Sequence, residues 1–381
     1  MKTSFISNYL THHQIPFCTA MFEKLQHDYC FVETEKMEAE RIDMGWYVSE
    51  YPYVIKAWKD ETAFEKAKVA ILQSDTVILG ACSDLWYEFA KRSNAKIVFC
   101  YGERIFKKGL YQRFGIGARR YKKKIGDISK IKNSYVLCAS AFLPYDLAVL
   151  GLMKDRCFKW GYFPPVIEYE DIERIVASKR PLSILWAGRL IGWKHPEDVI
   201  YLAKKLKEKG YEIDVTLIGD GELKPQLEKM IADVGLSDYI KILGFMASEE
   251  VRHYMEKADI YLFTSDRFEG WGAVLNEAMN AGCAVVANRE IGSVPYLIQD
   301  KNNGLIYDRK KTNDLFNKTA YLIANKDIKR NIQIEAYRTI IDKWNGQVAA
   351  DRLLNLSDML IDKYKTDCTD GPCSVAQVIR G

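Results

Sequence analysis

From about Pro181 onward the chain repeats one pattern: a short β-branched or aromatic run, a glycine-containing turn, then apolar residues at three- and four-residue steps. The first suits a buried strand and the last an amphipathic helix, and the spacing of roughly 20 to 30 residues is that of βαβ units. Strands are predicted at 183–187, 214–218, 240–243, 259–263 and 284–287. Between them Val199, Leu202, Ala203 and Leu206, then Leu223, Leu227, Met230, Ile231 and Val234, each mark one apolar helical face. Strands joined by crossover helices make a parallel sheet. The N-terminal half shows a weaker form of the pattern, with strands near 29–32, 76–79, 96–100 and 135–139, so a second α/β layer is predicted.

Prolines and charge place a linker across 163–181. The predicted organisation is an N-terminal Rossmann-like domain over 1–165 and a C-terminal one over 166–345. A helix over 346–366 follows, expected to pack back toward the first domain, and then a tail over 367–381 whose weak periodicity predicts little order. A length of 381 residues agrees with two domains at about 150 residues each.

Composition narrows the function classes. An apolar share of 48% and a charged share of 28% fit a globular chain with a large core. No uninterrupted apolar run approaches the roughly 18 residues of a membrane span. The apolar start is broken by Asn8, Thr11, His12 and His13 before it reaches signal-peptide length, so a cytoplasmic protein is expected. The nine cysteines are an odd number and lie mostly inside apolar runs, which argues against a disulfide framework. The five histidines form no ligand pattern, so no metal is expected.

Residues 1–165 hold 25 Lys and Arg against 18 Asp and Glu, while the remainder holds 30 against 33. Much of the excess lies in 104–124, where nine cations and no acid interleave with Phe106, Leu110, Tyr111, Phe114, Ile116 and Tyr121. A basic aromatic stretch of this kind suits an anionic membrane surface, and equally a solvated basic helix. Nucleic acid is disfavoured, since neither an RNP signature nor a helix-turn-helix pattern occurs.

Ligands of open parallel sheets bind beyond the carboxyl ends of the strands, so candidate chemistry is sought in the turns there. After 183–187 comes Gly188-Arg189-Leu-Ile-Gly-Trp-Lys194-His195-Pro196. Two cations at a strand mouth ahead of a helix suit a diphosphate, although an ordinary surface loop has the same composition. The turn Gly219-Asp-Gly221-Glu222 lets backbone approach a ligand, yet lacks the third glycine of a dinucleotide fingerprint, so NAD is not supported. After 259–263, Glu269 and Glu277 stand with seven residues between them, Gly270, Trp271 and Gly272 among these. On one continuous helix their side chains would project within about 80° of each other and could face one cleft. Amides opened by Gly270 and Gly272 would receive a phosphate. Two exposed glutamates on a helix are the plain alternative.

Taken together, Gly188-Arg189 with Lys194, the turn at Gly219, Leu243-Gly-Phe245, the Glu269 to Glu277 segment ending at Gly282, Gly292-Ser-Val-Pro295 and Asn303-Gly304 resemble the donor domain of retaining GT-B glycosyltransferases of family four. The resemblance covers about residues 180–310. It implies the GT-B fold, with two Rossmann-like domains facing an interdomain cleft, and transfer of a sugar from a nucleoside diphosphate sugar. It further implies that Arg189 and Lys194 bind the diphosphate, Glu277 the ribose and Glu269 the transferred sugar. Gly219, Gly221 and backbone near Phe245 would serve diphosphate and base, and the loop from Gly270 through Trp271 to Gly272 would govern donor choice. No cofactor beyond the donor is implied. In the N-terminal half the family's glycine-rich first turn is replaced by residues 8–14, so acceptor contacts are sought at His12, His13, Glu103 and Arg104.

The resulting expectation is a cytoplasmic glycosyltransferase, peripheral at the inner membrane face through 104–124. It would act by front-face transfer with retention on a lipid-linked surface polysaccharide such as a capsular or lipopolysaccharide unit. The competing expectations are a catalytically idle sugar-nucleotide module and a GT-B epimerase.

Overall fold

Thirteen strands form two all-parallel sheets among the residues that this computed structural model describes, 1–38, 50–362 and 368–380. Two units contain them, one built from 1–165 with 343–381, the other from 166–342.

The first unit carries β1 (Thr3–Ser7), α1 (Ile15–Leu25), β2 (Tyr29–Glu33), β3 (Val54–Lys56), α2 (Glu61–Leu72), β4 (Thr76–Leu79), α3 (Asp84–Arg92), β5 (Ile97–Gly102), α4 (Ile116–Ser129), β6 (Ser134–Cys138), α5 (Leu143–Val149) and β7 (Cys157–Lys159). Its strands stand in the order β3-β2-β1-β4-β5-β6-β7. β1 and β4 are buried at every position, because helices cover both faces and leave no place for an alternating polar side.

The second unit carries α6 (Ile172–Ser178), β8 (Ser183–Ala187), α7 (Glu197–Glu208), β9 (Asp214–Ile218), α8 (Lys224–Asp233), β10 (Ile240–Ile242), α9 (Ser248–Lys257), β11 (Ile260–Phe263), α10 (Val274–Asn280), β12 (Ala284–Asn288), α11 (Val294–Leu297), β13 (Leu305–Tyr307), α12 (Asp314–Ala324) and α13 (Lys326–Asp342). Its order is β10-β9-β8-β11-β12-β13. The core gathers Trp186, Leu217, Leu262 and Val286 from the strands with Val199, Leu202 and Leu206 from α7 and Leu227 and Ile231 from α8, the faces that the periodicity marks. The stretch read as a linker contains α6, whose Ile172 and Val176 lie against the bare Cα of Gly282.

Two buried charges fasten the helices. Lys179 ends α6 and donates to the carbonyls of Met255, Glu256 and Ala281 at 3.0, 2.9 and 2.8 Å, closing the C-terminal ends of α9 and α10. Asp259, ahead of β11, accepts from Lys329 at 2.5 Å and from Gln333 at 3.1 Å, both on α13.

The chain end belongs to the first unit. α14 (Gly346–Asp362) lies against α1, so close at its start that a Cβ on Gly346 would stand 2.6 Å from the backbone of Pro16. Positions 363–366 of the expected helix, with 367 and 381 of the tail, fall outside the described residues. The remainder of the tail, expected to have little order, is irregular apart from one isolated bridge but is tied to the first sheet. Lys159 donates to Ser374 O at 2.8 Å, Cys373 to Lys159 O at 2.8 Å and Ala376 to Cys157 O at 2.9 Å, so the tail adds antiparallel backbone to the edge at β7. An edge with unpaired amides recruits whatever chain lies nearby, and a three-residue match leaves no periodicity to read. Among the described residues no helix is long and apolar enough to cross a membrane.

Candidate active site

In the second unit β8 borders both β9 and β11, so strand order reverses between β8 and β11. Open α/β sheets bind ligands at such a point, beyond the carboxyl ends of the strands. Residues 188–196 follow β8 and residues 264–273 follow β11, and these segments carry Arg189, Lys194 and Glu269.

The first segment is fixed by its neighbours. Gly188 donates to Ile218 O at 2.9 Å, Leu190 to Asp220 O at 2.8 Å and Gly219 to Gly244 O at 2.7 Å. At Gly219, with φ of 137°, a Cβ would lie 1.9 Å from the carbonyl oxygen of Gly188, and at Gly221 it would lie 2.5 Å from that of Leu190. Both glycines therefore permit contact between turns, and their first role is to seat the loop that holds the cations. The loop then closes in a 3-10 turn over Gly192–Lys194. The carbonyl of Lys194 accepts from Thr264 Oγ1 at 2.7 Å, and Thr264 in turn accepts from the Trp186 indole at 2.8 Å.

Lys194 Nζ reaches Glu269 Oε2 at 2.7 Å, and Ser265 Oγ donates to the same oxygen at 3.0 Å. The pair is largely enclosed, with side chains 13% and 11% exposed. Arg189 is exposed, 5.9 Å from the Trp193 ring, and makes no ion pair among the described residues. The arrangement offers one anchored cation, one unengaged cation and a carboxylate whose second oxygen accepts no hydrogen bond among the described residues.

Glu269 lies in the loop ahead of α10, and Glu277 falls in the first turn of that helix, so the two do not share one continuous helix. The angular projection expected for one continuous helix therefore does not apply. Nearby, the buried Tyr261 hydroxyl donates to Ala187 O at 3.1 Å. Burial raises its pKa most, the bond to Ala187 opposes the rise, and the charges of Glu277, Cys283 and Glu269 add to it. The Glu277 carboxylate makes no hydrogen bond or ion pair among the described residues. Burial raises its pKa, and Arg252, which donates to Glu277 O at 3.3 Å and to Asn280 Oδ1 at 2.7 Å, opposes the rise.

Around them Gly270 is buried, and Gly272, with φ of 80°, passes so close to Phe263 that a Cβ would meet its ring at 2.3 Å. Phe245 is exposed beyond β10. Trp271 corrects the expectation of a donor-selecting side chain: its ring is 1% exposed and its indole donates to Asn276 Oδ1 at 2.9 Å, so it serves as a core anchor for the loop.

In the first unit strand order reverses between β1 and β4. His12 and His13 follow β1, their ring centroids 3.6 Å apart, and His13 stacks on Tyr162 at 5.1 Å and 8°. Burial lowers the pKa of His12 to about 4, and burial together with the charge of His12 holds His13 well below its ordinary value, so both rings are neutral at physiological pH. Glu103, beyond β5, accepts from the Tyr162 hydroxyl and from Lys107 at 2.9 Å. Arg104 departs from the expectation. It is buried, its guanidinium 4.8 Å from the Phe142 ring, and it acts on buried Asp146, which accepts from the amides of Ile105 and Phe106 at 2.8 and 2.9 Å. It braces the β5–α4 connection from within. Tyr162, Ser265 and Thr264 were not singled out from sequence, since their contacts span 59, 4 and 70 positions and hydroxyl residues carry no spacing signal. Among the described residues no group of three or more His, Cys, Asp or Glu is placed to hold a metal ion.

Comparison with known proteins gives these residues a family. The family model described as "Glycosyl transferases group 1" matches residues 168–339. The amylovoran biosynthesis glycosyltransferase AmsK of Erwinia amylovora is 37% identical over 34% of this chain and 32% of its own. The alpha-D-kanosaminyltransferase of Streptomyces kanamyceticus is 27% identical over 48% and 47%. The matched segment thus spans about a third to a half of the length of these curated relatives. The crystal structure of Anabaena Alr3699/HepE in complex with UDP aligns with a TM-score of 0.67 over 93% of this chain and 99% of that one, at 16% identity, a likeness of fold. The fold is GT-B, and residues 168–339, a little under half of the chain, match the family of glycosyl transferases of group 1.

Proposed function

We propose that this chain is a retaining glycosyltransferase that moves a sugar from a nucleoside diphosphate sugar to a surface polysaccharide acceptor. The observation that carries the reading is the enclosed Lys194–Glu269 pair at the strand reversal, with exposed Arg189 on the same loop as Lys194 and the half-buried Glu277 carboxylate making no hydrogen bond among the described residues. In this reading Arg189 and Lys194 hold the diphosphate, where fixed cations stabilise the charge that develops as it departs. Glu269 receives hydroxyls of the transferred sugar through its second oxygen, and Glu277 receives those of the ribose. Exposed Phe245 and the backbone at Gly219, Gly221, Gly270 and Gly272 border the base and phosphates.

The bond from the anomeric carbon to the diphosphate oxygen breaks as the acceptor oxygen bonds to the same carbon on the same face. The acceptor proton passes to the departing phosphate oxygen. The donor is the only small molecule the step uses. Support for a polysaccharide or lipid-linked acceptor comes from relatives named for amylovoran, colanic acid, lipopolysaccharide core and phosphatidylinositol mannoside synthesis. His12, His13 and Glu103 are the acceptor-side groups of this reading, neutral imidazoles being suited to sugar hydroxyls. The exposed cations and apolar side chains of 104–124 would hold the enzyme at the inner face of an anionic membrane, where lipid-linked acceptors reside.

A melting panel with UDP-, GDP-, dTDP- and CMP-linked sugars tests it. A donor at 100 times its dissociation constant adds about 2.7 kcal/mol of stability. One nucleotide class is expected to raise the wild-type melting temperature and to lose that effect in Arg189→Ala, and the product is expected to keep the donor's anomeric configuration by NMR. A donor that binds without transfer to any acceptor would favour a sugar-nucleotide module.

A further inference from the structure

His195 follows Lys194 directly and has no place in the donor contacts above. It adopts a left-handed backbone, φ 51° and ψ 51°, uncommon for a residue other than glycine. Both nitrogens of its ring face carboxylates. Nδ1 lies 2.9 Å from Glu197 Oε1 and Nε2 lies 3.2 Å from Asp266 Oδ2. A neutral imidazole has one N–H and could serve only one of these carboxylates, whereas the imidazolium serves both.

Each partner is held in turn. Arg309, beyond β13, reaches Asp198 at 2.7 Å and Glu197 at 3.5 Å. The amide of Asp266 donates to Trp193 O at 3.0 Å, its carboxylate accepts from the Phe268 amide at 2.9 Å, and its carbonyl accepts from the Glu269 amide at 3.0 Å. Asp266 therefore joins the loop that carries Lys194 to the loop that carries Glu269, and His195 closes the same joint from the other side.

We infer that His195 is a positioning residue whose imidazolium clasps these two loops and so sets Lys194 and Glu269 at the spacing that the donor diphosphate and sugar require. The inference rests on the donor reading of that pair. Loss of the ring proton leaves a lone pair facing a carboxylate at about 3 Å, and the joint loosens where Lys194 and Glu269 are anchored.

The groups facing His195 are Glu197 and Asp198 from α7, Asp266 from the β11–α10 loop and Arg309 from beyond β13, with the Lys194–Glu269 pair adjacent. Burial opposes the charge and is the largest influence, yet the bonds to Asp266 and Glu197 together outweigh it and push the pKa up to about 9. The same interactions hold Glu197 and Asp266 below the usual carboxylate range, against their own burial. A raised histidine pKa contributes stability that is complete below about 6.5 and is lost as pH rises through about 9.

The test is calorimetric binding of UDP and of GDP to the full chain between pH 7 and 9.5, for wild type, His195→Asn and Asp266→Asn. Asparagine tolerates the left-handed backbone, so the first variant removes the charge without forcing the turn. Asp266→Asn keeps the imidazole but removes one carboxylate. Wild-type affinity for the preferred diphosphate is expected to fall on the order of tenfold as pH rises through 9, a loss typical of one charged hydrogen bond. His195→Asn is expected to bind about tenfold more weakly at pH 7.5 and to lose that pH dependence. Asp266→Asn is expected to move the fall to lower pH, together with the NMR titration of the His195 Cε1 proton. That displaced profile is a signature that loss of general stability would not produce, and it remains readable if His195→Asn fails to fold. Wild-type binding that is flat with pH, or an unmoved profile in Asp266→Asn, overturns the clasp and leaves the donor reading standing. A wild type that binds neither these diphosphates nor any donor of the melting panel at any pH overturns both.

Discussion

A carboxylate held partly out of water without a hydrogen bond costs stability, and half-buried Glu277 is such a group among the described residues: desolvation raises its pKa and Arg252 opposes the rise. For an acid with a raised folded pKa, stability falls as pH rises through the window above its unfolded value of about 4.5, so at neutral pH the ionised side chain is a net burden. Glu277→Gln is therefore expected to stabilise the ligand-free protein by on the order of 1 kcal/mol in urea denaturation at pH 7. It should at the same time weaken donor binding by about tenfold. A variant that loses stability would show that the carboxylate is satisfied by the protein itself. This trade is the mark of a group kept for a ligand. At this scale the sequence singles out Arg189, Lys194, Glu269 and Glu277 as candidates, because the first three lie in short motifs that follow a strand and the fourth opens the helix after one. It misjudged Arg104 and Trp271, because residue type does not say which way a side chain turns, and the internal partners Asp146 and Asn276 cost nothing to overlook in a linear reading. His195 lay in plain view, but its partner Asp266 stands 71 positions away and carries no signature of its own.

Between elements, single residues act as fasteners whose removal should be felt beyond their own contacts. Lys179 satisfies three carbonyls at the ends of α9 and α10, and α10 carries Glu277. Its burial lowers its pKa, so part of the bonding is offset by desolvation. Lys179→Met fills the same space but leaves those carbonyls without a donor, and is expected to lower stability by about 3 kcal/mol in urea denaturation. An unchanged midpoint would mean that water replaces the ammonium freely. Gly219→Ala is a sharper case, since the added Cβ would overlap the Gly188 carbonyl at 1.9 Å and the residue sits at φ 137°. The variant is expected to lose about 3 kcal/mol or more and to shed diphosphate affinity, because the Arg189 loop must move to admit it. Five strands of the second sheet, β8 to β12, were legible to within a residue or two, as each is an apolar run bounded by a turn. By contrast β1 and the three-residue β3, β7 and β13 are not among the strands that the sequence predicts, and their pairing depends on long-range register.

The chain as a whole is asymmetric in connectivity and in charge. The second unit is one continuous stretch, whereas the first needs both chain ends, with α14 against α1 and residues 373–376 along β7. Truncation after residue 342 is thus expected to destabilise the first unit while residues 166–342, expressed alone, melt cooperatively. The surplus of cations also belongs to the first unit. Tyr111, Phe114 and Ile116 are 67%, 67% and 70% exposed, around the turn that leads into α4. Lys108, Arg113, Arg119, Arg120, Lys122 and Lys123 are exposed beside them, while Lys124 is held inward by Cys82 O at 2.7 Å and by Asp84. Water gains nothing from three bared apolar side chains, but a lipid interface accepts them and the surrounding cations at once. Each cation near an anionic leaflet is worth about 1 kcal/mol, and the attraction decays within about 8 Å at physiological salt. Sedimentation with phosphatidylcholine vesicles containing phosphatidylserine should therefore capture the protein at low salt and release much of it at about 0.5 M, where screening is stronger. Tyr111, Phe114 and Ile116 replaced together by Ser should weaken capture at least tenfold without altering the melting temperature, since these side chains contribute little to the core. Capture that is indifferent to salt and to these substitutions would detach the basic face from the membrane and return it to solvent.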